Sequence, residues 1–91
     1  MSISIKKLTD DVLQVTVADS MITTHEVTVT DQSLTDLTDN KVTKTQLLKL
    51  SFNFLLDKEP NTSILSSFDI NVISKYFSNY RVEVRRWCDA N

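Results

Sequence analysis

Val12-Leu13-Gln14-Val15-Thr16-Val17-Ala18, followed closely by Thr24-His25-Glu26-Val27-Thr28-Val29-Thr30, alternates apolar and polar side chains with a period of two. β-Branched residues dominate both runs, so each predicts a strand with one buried face. Leu13, Val15 and Val17 share a face of the first, and His25, Val27 and Val29 a face of the second. With Val17 opposite His25, Val15 meets Val27 and Leu13 meets Val29, while Thr16, Thr24, Glu26 and Thr28 face water. Upstream, Ser2-Ile3-Ser4-Ile5-Lys6 alternates in the same way. The intervals are short, which predicts a three-stranded antiparallel meander.

After Thr30 the period becomes helical. Residues 31–37 predict a short helix capped by Thr30 or Asp31, which docks only by burying Leu34 and Leu37. Thr43-Lys44-Thr45-Gln46 is a capping box, and it opens a helix over residues 44–58. Gln46, Lys49, Asn53 and Asp57 form one narrow polar stripe on that helix. Leu47, Leu48, Leu50, Phe52, Phe54, Leu55 and Leu56 surround the stripe, a girth wider than one sheet face covers, so the helix is central or lies between chains. Pro60 ends it.

Beyond Pro60, Asn61 or Thr62 caps a short turn carrying Ile64 and Leu65. Ser67 or Asp69 then caps a helix carrying Ile70, Val72, Ile73, Tyr76 and Phe77. Tyr80-Arg81-Val82-Glu83-Val84 alternates like a strand, but Tyr80, Val84 and Trp87 at i, i+4 and i+7 favour helix over 80–88. The expected fold is a single small α+β domain over residues 1–91: the N-terminal meander, a central helix on its apolar face, and short C-terminal helices.

Composition narrows the chemistry. Glycine is absent, where average usage would supply about six. A Walker loop, a dinucleotide fingerprint, a nucleophile elbow and a calcium-binding EF loop each need glycine, so none is present in its usual form. Turns fall instead to Asp10-Asp11, Asp19-Ser20, Asp39-Asn40 and Ser78-Asn79, whose side chains bond their own backbone. The single cysteine, Cys88, cannot form an intrachain disulfide or a thiol metal site, which suits a reducing compartment. With no long apolar N-terminal segment and no membrane-length apolar run, the expectation is a cytoplasmic protein with no membrane partner. Asn61-Thr62-Ser63 matches a glycosylation sequon that such a location leaves unused.

His25 is the only histidine. Without clustered Cys or His beside it, it reads as a packed neutral imidazole rather than a metal ligand. Pairing of His25 with Cys88 as base and nucleophile has no activating context in the sequence. The carboxylate pairs Asp10-Asp11 and Asp36 with Asp39 fall in expected turns or on a short exposed helix, where capping outweighs acid/base work. The expectation is therefore no enzyme, no metal, no cofactor and no small-molecule substrate.

Charge is uneven. Residues 1–40 hold two lysines against seven acidic side chains, whereas residues 41–91 hold eight basic against five acidic. Lys75, Arg81, Arg85 and Arg86, interleaved with Tyr76, Tyr80 and Trp87, form a candidate interaction surface with features of a nucleic-acid face. On a helix, however, Arg81 and Arg85 lie outside while Tyr80, Val84 and Trp87 lie inside, and the chain as a whole is acidic.

Residues 51–65, SFNFLLDKEPNTSIL, continuing through Phe68-Asp69-Ile70 and Val72-Ile73 to Tyr76-Phe77, resemble a small bacterial protein family of unknown function. Thr24-His25-Glu26-Val27-Thr28-Val29 belongs to the same pattern, and the resemblance implies a compact bacterial domain without assigning a site. Residues 25–58 resemble, more loosely, a ribbon-helix-helix DNA-binding unit. That resemblance implies a strand paired between two chains in the major groove, with Thr24, Glu26, Thr28 and Thr30 facing the bases. Glu26 would repel phosphate, no Arg, Lys, Asn or Gln is available there to read bases, and the first helix is too short. The reading carried forward is a non-catalytic protein-interaction or regulatory module, binding a protein partner or a second copy, with DNA binding as the alternative.

Overall fold

A computed structural model describes residues 1–90. Strands β1 (Ser2–Lys7), β2 (Val12–Ala18) and β3 (Ile22–Thr28) form the expected antiparallel meander. Helix α1 (Asp31–Thr38) and helix α2 (Lys44–Leu56) follow, then a 3-10 turn (Asn61–Ser63), strand β4 (Ser67–Asp69), helix α3 (Val72–Tyr76) and helix α4 (Tyr80–Ala90). The architecture is α+β, with all four strands in one sheet of order β1-β2-β3-β4.

Two expectations need correction. The sheet has four strands rather than three, because Ser67-Phe68-Asp69 pairs in parallel with Glu26-Val27-Thr28. Ser67 is thus a strand residue, not a helix cap. Asp69 does accept from a backbone N–H, that of Asn71 at 2.9 Å, but the helix it introduces begins only at Val72. The second correction is the β2–β3 register: Val15 stands opposite His25, Leu13 opposite Val27 and Val17 opposite Thr23. The chain reverses over Asp19-Ser20-Met21, so β3 starts at Ile22. A two-residue shift keeps every side chain on its face, and Leu13, Val15, Val17, His25, Val27 and Val29 are all buried.

Local signals set the helices. Thr30 Oγ1 accepts from the Ser33 N–H at 3.1 Å. Thr43 and Gln46 form the reciprocal capping box, with bonds of 3.1 and 2.8 Å; such a cap stabilises a helix by about 1 kcal/mol. Between α1 and α2, Asp39 and Asn40 take φ of 53° and 60°, the left-handed region that Asp and Asn tolerate where glycine is lacking. All four expected Asp, Asn or Ser turn sites fall outside strands and helices.

The girth of α2 is absorbed within the chain. Leu47, Leu48, Phe52, Phe54 and Leu55 are buried, and Gln46, Lys49, Asn53 and Asp57 face solvent. One flank meets the sheet, with the Phe52 ring 5.3 Å from His25. The other meets α3 and α4, where Phe54 lies 5.8 Å from Phe77, 5.5 Å from Tyr80 and 6.1 Å from Trp87. Each fully buried Leu or Phe of this layer contributes about 1.5–3 kcal/mol of transfer free energy. Helix α4 presents Tyr80, Val84 and Cys88 inward and Arg81, Arg85 and Arg86 outward.

Candidate functional site

Where α2 ends, Pro60 turns the chain back under the sheet, and Asn61 anchors it. The Asn61 amide donates to the Met21 carbonyl and to Thr23 Oγ1, both at 2.9 Å, so this side chain is buried rather than offered for glycosylation. Thr23 Oγ1 lies 2.8 Å from His25 Nε2, and His25 Nδ1 lies 2.7 Å from the Leu65 carbonyl. A carbonyl only accepts, so Nδ1 carries a proton and donates to it, while Nε2 shares a second hydrogen bond with the Thr23 hydroxyl. His25 is therefore a strut joining β3 to the segment before β4. Both its nitrogens are engaged, leaving none to take a proton from Cys88.

Leu65, whose carbonyl the His25 ring engages, lines an apolar groove. The C-terminal end of α2 supplies Leu55 and Glu59, the following segment Ser63, Ile64 and Leu65, strand β4 Phe68, and α3 with its exit Ile73, Tyr76 and Phe77. The groove measures about 400 Å³, within the range of sites that seat a small molecule or a few side chains. Leu65 and Tyr76 at its rim are 51% and 72% exposed. The Glu59 carboxylate is the charged group of the lining. Lys58 stands over the Phe54 ring at 4.5 Å and reaches Phe77 at 5.9 Å.

Strand β4, which gives Phe68 to the groove, is the last strand of the sheet. Glu26 N–H donates to Ser66 and Ile70 N–H to Thr28, so alternate residues Ser66, Phe68 and Ile70 face β3. Ser67 and Asp69 turn their main-chain groups away from it, at the end of the sheet order. Of these groove residues only Tyr76 was singled out in the sequence, as an aromatic beside the basic cluster. The sequence offered no further signal, since Leu65 and Tyr76 fit the apolar pattern of the expected turn and helix and yet are exposed.

The basic cluster divides. Arg81 and Arg85 line a shallow cleft of about 240 Å³ with Asp36, Leu37 and Val82. Arg86 lies outside it and pairs with Glu83 at 3.0 Å, and Lys75 on α3 lines neither depression. The carboxylates Asp10 and Asp11 sit in the β1–β2 turn, where Lys7 reaches Asp10 at 3.3 Å and Lys44 reaches Asp11 at 3.5 Å. Burial pushes the Cys88 thiol above its ordinary pKa, which disfavours the thiolate that a nucleophile needs. Among the described residues, no group of His, Cys, Asp and Glu is placed to hold a metal ion, and no helix is long and apolar enough to cross a membrane. Comparisons with protein-family models, curated proteins and solved structures return no match to this chain.

Proposed function

We propose that the chain is a non-catalytic protein-interaction module of the cytoplasm, which takes an extended segment of another protein along the edge of β4 and into the adjoining groove. The observation that carries this reading is the groove itself: apolar, about 400 Å³, and lined in part by Phe68 of the outermost strand β4. Backbone pairing at a sheet edge gives affinity and a flanking pocket gives side-chain preference. Here the pocket suits one or two aliphatic or aromatic side chains, and Glu59 favours a cationic neighbour over an acidic one.

Nucleic-acid binding stands second. Arg81 and Arg85 support it, but Asp36 shares their cleft. The ribbon that the looser resemblance implies needs a strand with a free edge, and β3 is bonded by β2 on one side and β4 on the other.

A displayed library of random peptides, panned against the wild type and against a Leu65→Lys/Tyr76→Lys variant, tests the reading. Both sites are exposed, so the variant keeps its fold. Enrichment of peptides with paired apolar residues that shift the amide resonances of Leu65 to Asp69 and Phe77, and that the variant does not bind, is the expected result. Peptides that bind the variant equally, or no enrichment, would overturn it.

A further inference from the structure

At the opposite end of the sheet, β1 is an unpaired edge. Its inner side is bonded through even-numbered residues: Leu8 N–H donates to the Val12 carbonyl at 2.9 Å, and the register carries the alternation to Lys6↔Gln14, Ser4↔Thr16 and Ser2↔Ala18. The N–H and C=O groups of Ile3, Ile5 and Lys7 therefore point outward. Such edges are normally blunted by charged side chains, lysine above all, by proline, by a bulge or by a covering loop. β1 has no proline or glycine and pairs without a skipped residue along its length; its blunting charges, Lys6 and Lys7, stand at one end and leave Ser2 to Ile5 uncharged.

The side-chain pattern on this edge is self-complementary. An antiparallel pair of β1 strands from two copies, centred on Ser4, sets Ile3 of one copy opposite Ile5 of the other, twice. The odd residues are the ones with free backbone, so both Ile3–Ile5 pairs exchange their N–H and C=O groups in full. Ser2 then faces Lys6 across the seam, and Ser4 faces its own copy, so no lysine opposes a lysine. A shift that centred the pair on Lys6 would bring like charges together. Ile3 and Ile5 are half-buried in the single chain, packed against the core, and the second copy covers their outer flank. We infer that this edge is a two-fold interface, joining two copies of the chain into one continuous sheet through Ser2–Lys7.

This interface is independent of the groove, which lies at the other edge, and either can fail without the other. Because Ser4 meets itself on the symmetry axis and its side chain is exposed, one substitution confronts its own copy. Light scattering over a range of concentrations should give twice the 10.4 kDa chain mass for the wild type. Ser4→Lys alone and Ser4→Glu alone should each weaken the dimer by at least about tenfold through like-charge opposition, and an equimolar mixture of the two should restore it. The restored mixture shows that both variants fold. A wild type that stays monomeric into the millimolar range, or a dimer indifferent to Ser4→Lys, would overturn the inference.

Discussion

The hydroxyl oxygens of Ser51 and Tyr80 lie 2.6 Å apart in the interior, and Ser51 also donates to the Leu47 carbonyl at 2.6 Å. With the serine proton so committed, the tyrosine is the donor between the two. The bond fastens α4 to the middle of α2, where both side chains are fully buried.

That direction makes the two truncations unequal. Tyr80→Phe removes a donor from an oxygen that keeps another bond, and should cost about 0.5–1.5 kcal/mol. Ser51→Ala strands the phenol proton, and should cost about 1–3 kcal/mol. The double variant should lie close to Tyr80→Phe, because phenylalanine has no proton to strand. Urea denaturation of the four proteins checks this; equal single costs that add would show the bond to be unimportant.

Burial also pushes the Tyr80 phenol above the ordinary tyrosine range. A group whose folded pKa is raised contributes stability that is intact below its unfolded pKa, about 10 for tyrosine, and is lost as pH rises beyond it. Stability should therefore fall on the alkaline side of about pH 10, and more steeply than in Tyr80→Phe. Thermal melts between neutral and alkaline pH give the comparison, and parallel curves would remove Tyr80 as the cause.

Lys44 gathers three elements at the start of α2. Its ammonium reaches Asp31 Oδ1 at 2.8 Å, the Asp10 carbonyl at 2.6 Å and Asp11 Oδ1 at 3.5 Å. The hydrogen bond from Lys44, with its charge, holds the Asp31 carboxyl below the ordinary aspartate range. A lowered folded pKa stabilises at neutral pH and loses its effect as pH falls through that lowered value. The effect is small, since the Asp31 side chain is 95% exposed and salt screens it. Carboxyl NMR should show Asp31 titrating below the ordinary aspartate value, and Lys44→Gln should return it there; an unmoved midpoint would refute the pairing.

Asn61 is read as the amide whose nitrogen faces two oxygens, Met21 O and Thr23 Oγ1. Asn61→Ala should cost about 1–3 kcal/mol for the lost hydrogen bonds. Asn61→Asp replaces the donor with a carboxylate facing acceptors, so at neutral pH it should be the worse variant. Its carboxyl pKa rises in the folded state, so its stability should recover as the pH is lowered and fall as it is raised. A ranking of Ala below Asp at neutral pH would mean that the amide is turned the other way.

Much of this fold is visible in local patterns. Val12–Ala18 is delimited as expected, because three apolar residues in strict alternation leave one face for the core. The α2 start is equally plain, since Thr43 and Gln46 satisfy each other whatever surrounds them. The β2–β3 register slipped because a turn of Asp19-Ser20-Met21 lacks the Asn-Gly or Asp-Gly mark that pins a hairpin. β4 was invisible for another reason. Three residues are too few to show a period, and Ser67 and Asp69 resemble helix caps until a distant strand pairs with them. The groove inherits that blindness, since Leu55, Leu65, Phe68 and Tyr76 come together only after β4 is in place.

The parallel pairing of Val27 with Phe68 also sets an order of assembly. β1, β2 and β3 close over short reversals, whereas β4 must wait for the chain to travel through α1 and α2 and return. Contacts so far apart along the chain are slow to form, because the loop entropy is lost before the pairing repays it. Pairing of β4 is therefore expected to follow closure of the meander. A partner seated in the groove would thus meet only molecules that have finished folding, and by holding β4 in place it would slow their unravelling.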